Sequence, residues 1–365
     1  MREIKAVWIP YSDFHDFLTG RSSADFRDEY SRRLELAAEN GINRVLVHLR
    51  PFGDALYKSD IFPSSYLVTG TEGDILPFDP LELMLEETKK FSMEFEGWIN
   101  PFRVRAPSIA AADASICHGN PVHRMLDTGG AIKYRNSITY NPASTQAVEM
   151  IVNGLIELCS RYPLDGIHFD DYFYPGSDPY FDMDSFCEYK LAGGGLSQAA
   201  WRRQNVSLFL KACYGAVHGC GNIRFGISPK GYMDCNYNEE FLDLSQVMSR
   251  PGYVDYVCPQ AYFALSDELS PFSTVMKNFE KLNLAGLDLI AGLAVYKLGR
   301  PDIHAGEGSD EWLCGENILS KMVSSAREIE HYSGYSLYNF KAAFLPSKDT
   351  ELRIRAEMAS LNSLT

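Results

Sequence analysis

Strand-like apolar runs alternate with helix-like runs along the whole of this chain, eight of each. The strands are predicted near residues 4–10, 43–50, 93–100, 164–171, 222–228, 254–260, 287–295 and 335–340. The helices are predicted near residues 25–40, 80–91, 144–162, 198–218, 240–250, 270–284, 315–331 and 349–363. Parallel strands require crossover helices, and eight such units close a sheet on itself. We therefore expect an α/β protein, a (β/α)8 TIM barrel, with one catalytic domain over residues 1–365.

A two-domain doubly wound protein is the alternative, but it would need a composition break near the middle of the chain, and none is visible. The connections after strands two, three and four, roughly residues 51–79, 101–143 and 172–197, are much longer than the connections that enter the strands. Long loops on one rim of a barrel build a cleft. These loops are rich in Tyr, Phe, His, Asn and Arg, which suits a polar, ring-shaped ligand.

Composition excludes several classes of protein. The 365 residues are 45% hydrophobic and 22% charged, as in packed globular proteins, and no run reaches the roughly 18 apolar residues of a membrane span. A net charge of -14 without a dense basic cluster argues against nucleic acid as a partner. The eight cysteines include no Cys-x-x-Cys pair, and Cys159, Cys213 and Cys258 stand in apolar runs, so we expect reduced core thiols. The first residues carry no export signal, which predicts a cytoplasmic protein, although a chain trimmed of its signal would look the same.

The fourth strand contains the strongest candidate for catalysis. Residues 164–175 read as a short buried strand that ends in two adjacent carboxylates, Asp170 and Asp171, followed by an aromatic loop. If Ile167 and Phe169 face the helices, alternation along the strand points Asp170 inward. Ligands of parallel barrels are held at the carboxyl ends of the strands, where this pair is expected.

Other strand ends carry polar and aromatic side chains that converge on the same rim. For any one of these residues, the simpler interpretation is that its side chain caps a helix or bonds to backbone groups. Their convergence on one rim favours a substrate site. The candidate substrate-binding residues are Arg50, Trp98, Asn100, Arg103, His168, Tyr172, Tyr174, Ser228, Lys230, Tyr232, Gln260 and Tyr262.

Glycosidic bond hydrolysis is the most economical chemistry for this set, because it needs carboxylates at an anomeric carbon, donors for hydroxyls and aromatic platforms. Asp170 is the predicted nucleophile or electrostatic partner of the cationic transition state, and Asp171 the adjoining acid/base or orienting group. Two neighbouring carboxylates repel when ionised, so one pKa should rise. If alternation turns Asp171 away, Asp54 is the next candidate acid and Asp234 a weaker one.

His48, Glu96 and His168 fall on the inward side of strands two to four, one layer below the site. We expect a buried hydrogen-bonded layer that orients Asp170. The alternative is a divalent metal held by His48, His168 and Asp170, as in deacetylase-type hydrolysis. No metal or other cofactor is expected in the favoured hydrolase.

Several motifs together resemble the glycosyl-hydrolase-10-like proteins over nearly the whole chain in order. They are residues 53–57 (Gly-Asp-Ala-Leu-Tyr), 98–103 (Trp-Ile-Asn-Pro-Phe-Arg), 165–175, 201–206 (Trp-Arg-Arg-Gln-Asn-Val), 225–229 (Phe-Gly-Ile-Ser-Pro) and 259–262 (Pro-Gln-Ala-Tyr). The resemblance implies a (β/α)8 barrel that acts on bacterial cell-wall or related glycans. Some members hydrolyse peptidoglycan strands stripped of their peptides.

The fourth-strand motif is also similar to the Asp-Gly-x-Asp-x-Asp-x-Glu run of family-18 chitinases. His168 replaces their second Asp and Tyr172 replaces their catalytic Glu, so Asp171 or a loop carboxylate would have to supply the proton. Lys230 stands where the glycosyl-hydrolase-10-like proteins more often have an aromatic residue, and residues 60–66 lack their usual Trp. These departures concern the substrate more than the fold.

Three hypotheses for function follow. The favoured one is a glycoside hydrolase acting on a bacterial glycan that contains N-acetylhexosamine. A barrel that binds oligo- or polysaccharide without cutting it, and a metal-dependent glycan de-N-acetylase, are the alternatives.

Overall fold

Eight parallel strands close into a barrel in the computed structural model, which describes residues 2–106 and 116–364. The barrel strands are β1 (Ile4–Ile9), β2 (Arg44–Arg50), β3 (Glu94–Ile99), β7 (Gly166–Phe169), β8 (Arg224–Ile227), β9 (Tyr256–Val257), β10 (Asp288–Ala294) and β11 (Tyr332–Tyr338). They follow one another around the barrel in chain order, and β11 pairs with β1 to close it. The predicted (β/α)8 barrel is confirmed, and each of the eight predicted strands has its counterpart.

Helices fill the connections between these strands. They are α1 (Phe14–Phe17), α2 (Ser23–Glu39), α3 (Tyr66–Thr69), α4 (Pro80–Lys90), α5 (Val122–Asp127), α6 (Thr145–Arg161), α7 (Met183–Leu191), α8 (Gln198–Cys220), α9 (Met233–Asn238), α10 (Leu244–Val247), α11 (Phe272–Leu282), α12 (Glu311–Cys314), α13 (Ile318–Ala326), α14 (Phe340–Phe344) and α15 (Glu351–Asn362). In the described ranges, short 3-10 turns cover residues 11–13, 295–297 and 306–308. The helix predicted near 240–250 is only the four-residue α10.

Local sequence signals account for where the long helices begin and end. The side chains of Ser22, Ser144 and Ser197 accept hydrogen bonds from the first turns of α2, α6 and α8, which satisfies N–H groups that have no partner inside the helix. Asn40 caps the carboxyl end of α2, and Gly41 follows with φ +73°, a conformation that glycine adopts without strain. No helix among the described residues is long and apolar enough to cross a lipid bilayer.

The apolar core has two parts because barrel strands present alternate residues to opposite sides. Val45, Val47 and Leu49 of β2 join the large layer between the barrel and its helices. Inside the barrel, a smaller cluster contains Trp8, Trp98 and other large side chains. Cys159, Cys213 and Cys258 are buried thiols, as predicted. Packing of large rings inside the barrel therefore fixes the positions of the strand ends above them.

A second sheet stands on the long connection between β3 and β7. It contains β4 (Arg103–Arg105), β5 (Ala131–Tyr134) and β6 (Ser137–Tyr140), in the antiparallel order β4-β6-β5. The long loop was predicted, but this sheet was not. It adds a wall to the rim of the barrel beside the end of β7.

Candidate active site

A groove of about 460 Å³ opens at the carboxyl ends of the barrel strands, between the added sheet and the loop that follows β7. Arg103, Tyr172, Lys230 and Glu240 are among the residues that line it. A larger cavity of about 830 Å³ lies at the amino ends of the strands, among ion pairs such as Arg224 with Asp288. Barrel enzymes hold their substrates at the carboxyl ends, so the groove is the candidate active site.

Asp170 stands immediately after β7 and is buried. Two residues that line the groove act on it directly, since the Tyr172 backbone N–H donates to its Oδ1 at 3.4 Å and the charge of Arg103 acts on its carboxylate. Its Oδ2 accepts a hydrogen bond from Trp98 Nε1 at 3.2 Å, and Asn100 Nδ2 lies 3.1 Å from both carboxylate oxygens. Burial raises the pKa of Asp170 to about 6, and the charge of Arg103 opposes that rise. Donors on both oxygens hold the carboxylate in one orientation, as a group that attacks or faces a cationic carbon requires.

Asp171 points to the other side of the site, where it shares a cation with a second acid. Lys230 Nζ lies 4.0 Å from Asp171 Oδ2 and 2.5 Å from Glu240 Oε1. Burial raises the pKa of Asp171, while Lys230 and a hydrogen bond with Gln260 lower it. Asp171 is thus a carboxyl group whose pKa is raised by burial against the opposing charge of an adjacent cation, which suits an acid/base role.

Glu240 is the main site residue that sequence analysis missed. Its Oε2 accepts hydrogen bonds from the backbone N–H groups of Phe173 at 3.2 Å and Tyr174 at 3.3 Å. It therefore fixes the loop that directly follows Asp171. Burial raises the pKa of Glu240 to about 7. The sequence placed this residue at the start of a predicted helix, and no spacing rule indicates that its carboxylate folds back onto a loop some 65 residues earlier.

Beneath Asp170, a chain of hydrogen bonds crosses the barrel interior. Trp8 Nε1 donates to His168 Nε2 at 3.3 Å, so the imidazole proton is on Nδ1, which donates to Tyr256 Oη at 2.8 Å. Tyr256 Oη donates to Glu96, and Glu96 Oε1 pairs with Arg44 Nη1 at 2.7 Å. Burial lowers the pKa of His168 to about 3, so the ring is neutral.

The predicted buried layer is therefore present, with His168 and Glu96 as bonded members. His48 belongs to it differently, since its ring stacks on Trp98 with centroids 3.7 Å apart and neither ring nitrogen has a hydrogen-bond partner in the described part of the chain. Because both nitrogens of His168 are already bonded, it has no atom available for sugar or for a metal. His168 supports the strand that carries Asp170, instead of binding substrate as its place in the sequence suggested.

Aromatic side chains surround the mouth of the site. Tyr172 is 47% exposed and its ring lies under the Arg103 guanidinium, 4.7 Å from its centroid. Across the site, Tyr262 contacts both Tyr296 and Tyr338 through their rings. Tyr232, 40% exposed, packs edge-on against Phe263 further out. Sugar rings present C–H faces that such surfaces can cover.

Several predicted residues lie near the site without reaching into the groove. Arg50 is buried below a β-bulge, where its guanidinium donates to the Pro101 carbonyl at 2.9 Å and stacks on Phe62. Ser228 is also buried, and Gln260 Nε2 donates to the Ser228 carbonyl at 3.1 Å. Tyr174 is buried too, but it does line the groove. Alternation of side chains along β2 predicted that Arg50 faces the barrel interior. The bulge between His48 and Arg50 turns its side chain to the opposite side.

The two reserve acids also lie apart from Asp170. Asp54 is buried under the loop after β2 and accepts a hydrogen bond from the Tyr66 backbone N–H at 3.2 Å, and burial raises its pKa to about 6. Asp234 is exposed in the first turn of α9. The structure thus brings Asp170, Asp171, Trp98 and Asn100 together as predicted, and adds Glu240, Tyr296 and Tyr338. The added tyrosines stand in or directly after strands ten and eleven, where the strand-end rule could have indicated them.

Residues 3–308 match the family model described as Glycosyl hydrolase-like 10. The chain belongs to this family. It is 29% identical to glycosyl hydrolase YngK of Bacillus subtilis (strain 168) over 374 residues, covering 96% of this chain and 72% of that protein. It is 30% identical to glycosyl hydrolase DigH of Escherichia coli (strain K12) over 323 residues, covering 82% of this chain and 72% of that protein. The family resemblance predicted from the motifs is confirmed.

Solved structures show the same fold at much lower sequence identity. The glycoside hydrolase domain of PgaB (BpsB) from Bordetella bronchiseptica aligns with a TM-score of 0.62 at 12% identity, over 100% of this chain and 99% of that one. The catalytic domain of β-amylase from Paenibacillus polymyxa aligns with a TM-score of 0.61 at 11% identity, over 98% of each chain. Family and fold together support the assignment of this chain to the glycoside hydrolases.

Proposed function

We propose that this glycoside hydrolase cleaves O-glycosidic bonds in a bacterial glycan that contains N-acetylhexosamine, such as peptidoglycan strands without peptides. The observation that carries the proposal is the Asp170 carboxylate, which Trp98 and Asn100 hold in place directly beside Tyr172, a residue that lines the groove. A paired set of carboxylates next to exposed tyrosines suits hydrolysis of a sugar chain better than it suits binding alone.

In the proposed mechanism, ionised Asp170 faces the anomeric carbon and stabilises the positive charge that develops there, by attack or by electrostatic contact. Asp171 donates its proton to the leaving glycosidic oxygen. It then takes a proton from the water whose hydroxyl ends on the anomeric carbon, which restores both carboxyl groups. Lys230 and Glu240 act as positioning residues, because they contact Asp171 and its loop.

The decisive experiment replaces Asp170 by Asn and follows product formation from peptide-free peptidoglycan and chitin oligosaccharides by mass spectrometry. The amide keeps the shape but not the charge, so we expect kcat to fall by about 10³-fold or more while oligosaccharide binding persists. Asp234→Asn makes the same exchange at an exposed position and should leave turnover unchanged. Cleavage by Asp170→Asn at the wild-type rate would refute the assignment.

The Asp171→Asn variant tests the role of Asp171 independently of the role of Asp170. Loss of the proton donor should slow substrates with poor leaving groups by about 10²–10⁴-fold, and should affect an activated aryl glycoside much less. Equal losses on both kinds of substrate would remove Asp171 from the acid role.

A further inference from the structure

One wall of the groove comes from the β5–β6 hairpin instead of the barrel. Tyr134 pairs with Ser137, which leaves Arg135 and Asn136 as the two central residues of the turn. Arg135 has φ +52°, a left-handed conformation that favours glycine or asparagine in such turns. Arginine brings no backbone advantage at this position, so its presence points to a use for the side chain.

The Arg135 side chain is exposed and lines the groove, with its guanidinium carbon 5.1 Å from the centroid of the Tyr134 ring. The hairpin is held against the loop after β7, because Tyr134 also packs edge-on against Phe181 with centroids 5.6 Å apart. The charge of Arg135 is therefore presented at a defined place beside the segment that carries Asp170.

Arg103 brings a second cation to the same groove, where its guanidinium lies over Tyr172 and its Nε donates to the Pro51 carbonyl at 3.0 Å. Other groove cations are neutralised, since Arg105 pairs with Glu72 and Lys230 pairs with Glu240. Within residues 2–106 and 116–364, no carboxylate oxygen lies within 4.0 Å of a nitrogen of Arg103 or Arg135. On a chain with a net charge of -14, Arg135 therefore presents a cation that no carboxylate of the described residues contacts, while the charge of Arg103 also acts on Asp170 and Asp171.

We propose that Arg135, together with Arg103, forms a subsite for a carboxylate carried by the glycan, and that this charge determines which glycans the enzyme prefers. The proposal rests on the function proposed above and specifies its substrate class. Guanidinium groups match carboxylates through paired N–H donors. A sugar with an ether-linked lactic acid offers a free carboxylate when no peptide is attached, and a neutral amide when one is. Recognition of the charge selects the peptide-free form.

The test uses the Arg135→Asn variant of the full chain, because asparagine tolerates the left-handed turn. Its kcat/KM is compared with wild type on peptide-free peptidoglycan oligosaccharides and on the same oligosaccharides with their carboxylates converted to amides. We expect wild type to prefer the acidic substrate, and the variant to lose about five- to tenfold on that substrate alone. Raising the salt concentration should weaken the preference of wild type more than that of the variant.

Arg250→Gln is the matched control, since Arg250 also lies near a tyrosine ring, that of Tyr253 at 5.8 Å, but outside the groove. It should leave both rates unchanged, and equal melting temperatures should show that Arg135→Asn folds. Identical discrimination by wild type and Arg135→Asn would overturn the subsite. If neither substrate is cleaved, the proposed hydrolysis fails, and titration calorimetry with the same two oligosaccharides then tests the subsite alone: equal affinities of wild type for both would overturn it.

Discussion

At the residue scale, Lys230 opposes the effect of burial, which raises the pKa of Asp171 and of Glu240. Its ammonium lies between Asp171 and Glu240, and its charge favours the ionised form of each. Family resemblance suggested an aromatic residue at this position, which would cover sugar but would leave both carboxyl groups without a cation. A lysine here therefore lowers the pKa of both carboxyl groups as well as changing the shape of the groove.

We expect Lys230→Met to move the alkaline limb of the kcat/KM profile upward by about one pH unit. The sign follows because removal of a cation raises the pKa of Asp171 and Glu240 further, so each proton is retained to higher pH. Lys230→Arg keeps the charge and should retain the wild-type profile. If the alkaline limb of the kcat/KM profile stays in place in Lys230→Met, Lys230 does not affect the pKa of the catalytic acid.

Asp54 shows how burial couples a carboxyl group to stability. Its pKa is about 6 in the fold against an ordinary 3.8, so the folded state favours the protonated form. Wild type should lose stability as pH rises from about 4 through 6, whereas Asp54→Asn does not titrate. From about pH 4.5 to about pH 8, the stability of Asp54→Asn relative to wild type should improve by about 1–3 kcal/mol in urea unfolding. A difference in the free energy of unfolding between the two proteins that does not change with pH would contradict this prediction.

The sequence predicted the location of a side chain correctly where its position in a strand decides which way it points. Asp170 follows directly from the end of β7, and its contacts with Trp98 and Asn100 follow from neighbouring strand ends. Asp54 and Glu240 could not be predicted in the same way. Both are in loops, and only the path of the loop decides that one is buried away from the groove while the other reaches it.

At the scale of elements, small and large residues alternate between neighbouring strands inside the barrel. A Cβ added at Gly226 of β8 would lie 2.1 Å from the ring of Tyr256 on β9, the same ring that bonds His168. A Cβ added at Gly166 of β7 would lie 2.8 Å from the side chain of Glu96. These glycines make room for the hydrogen-bonded chain below Asp170.

Gly226→Ala should therefore destabilise the protein by at least about 2 kcal/mol, because the neighbouring ring and strand have to move. Gly215→Ala is the control, since a Cβ at that position of α8 meets no atom within 4 Å. It should stabilise the protein by up to about 1 kcal/mol through its helix propensity. Chemical denaturation measures both, and similar effects of the two substitutions would show that the interior is loosely packed.

The eight barrel strands were predictable because each is an apolar run between clear helix signals. The β4-β6-β5 sheet was not, since its strands have three or four residues and its turn, Arg135-Asn136, lacks the glycine that usually marks a hairpin. The strand predicted near 254–260 is regular only over Tyr256–Val257, and Gln260 continues it through isolated bridges to Lys230 and Gly292.

At the scale of the whole molecule, closure joins the two ends of the chain. β1 pairs with β11 from Ile4 with Gly334 to Val7 with Leu337, and Glu3 also bonds Arg327 at 2.9 Å. The family match ends at residue 308, before β11 begins. The matched region alone is therefore one strand short of a closed barrel.

A chain that ends at residue 330 should show no cooperative thermal transition, because β1 and β10 would both keep an unpaired edge. A chain that ends at residue 362 keeps β11 and α15 and should melt close to the wild-type temperature. Calorimetry distinguishes the two, and a sharp transition in the shorter chain would mean that closure is dispensable.

The β5–β6 hairpin lies within the connection between β3 and β7, and its tip takes no part in the pairing of the barrel strands. Under the proposed carboxylate subsite, chemical selectivity and folding are encoded in separate stretches of the polypeptide. Exchanging the two residues at the tip offers a way to retarget the enzyme toward differently decorated polysaccharides while the scaffold stays as it is.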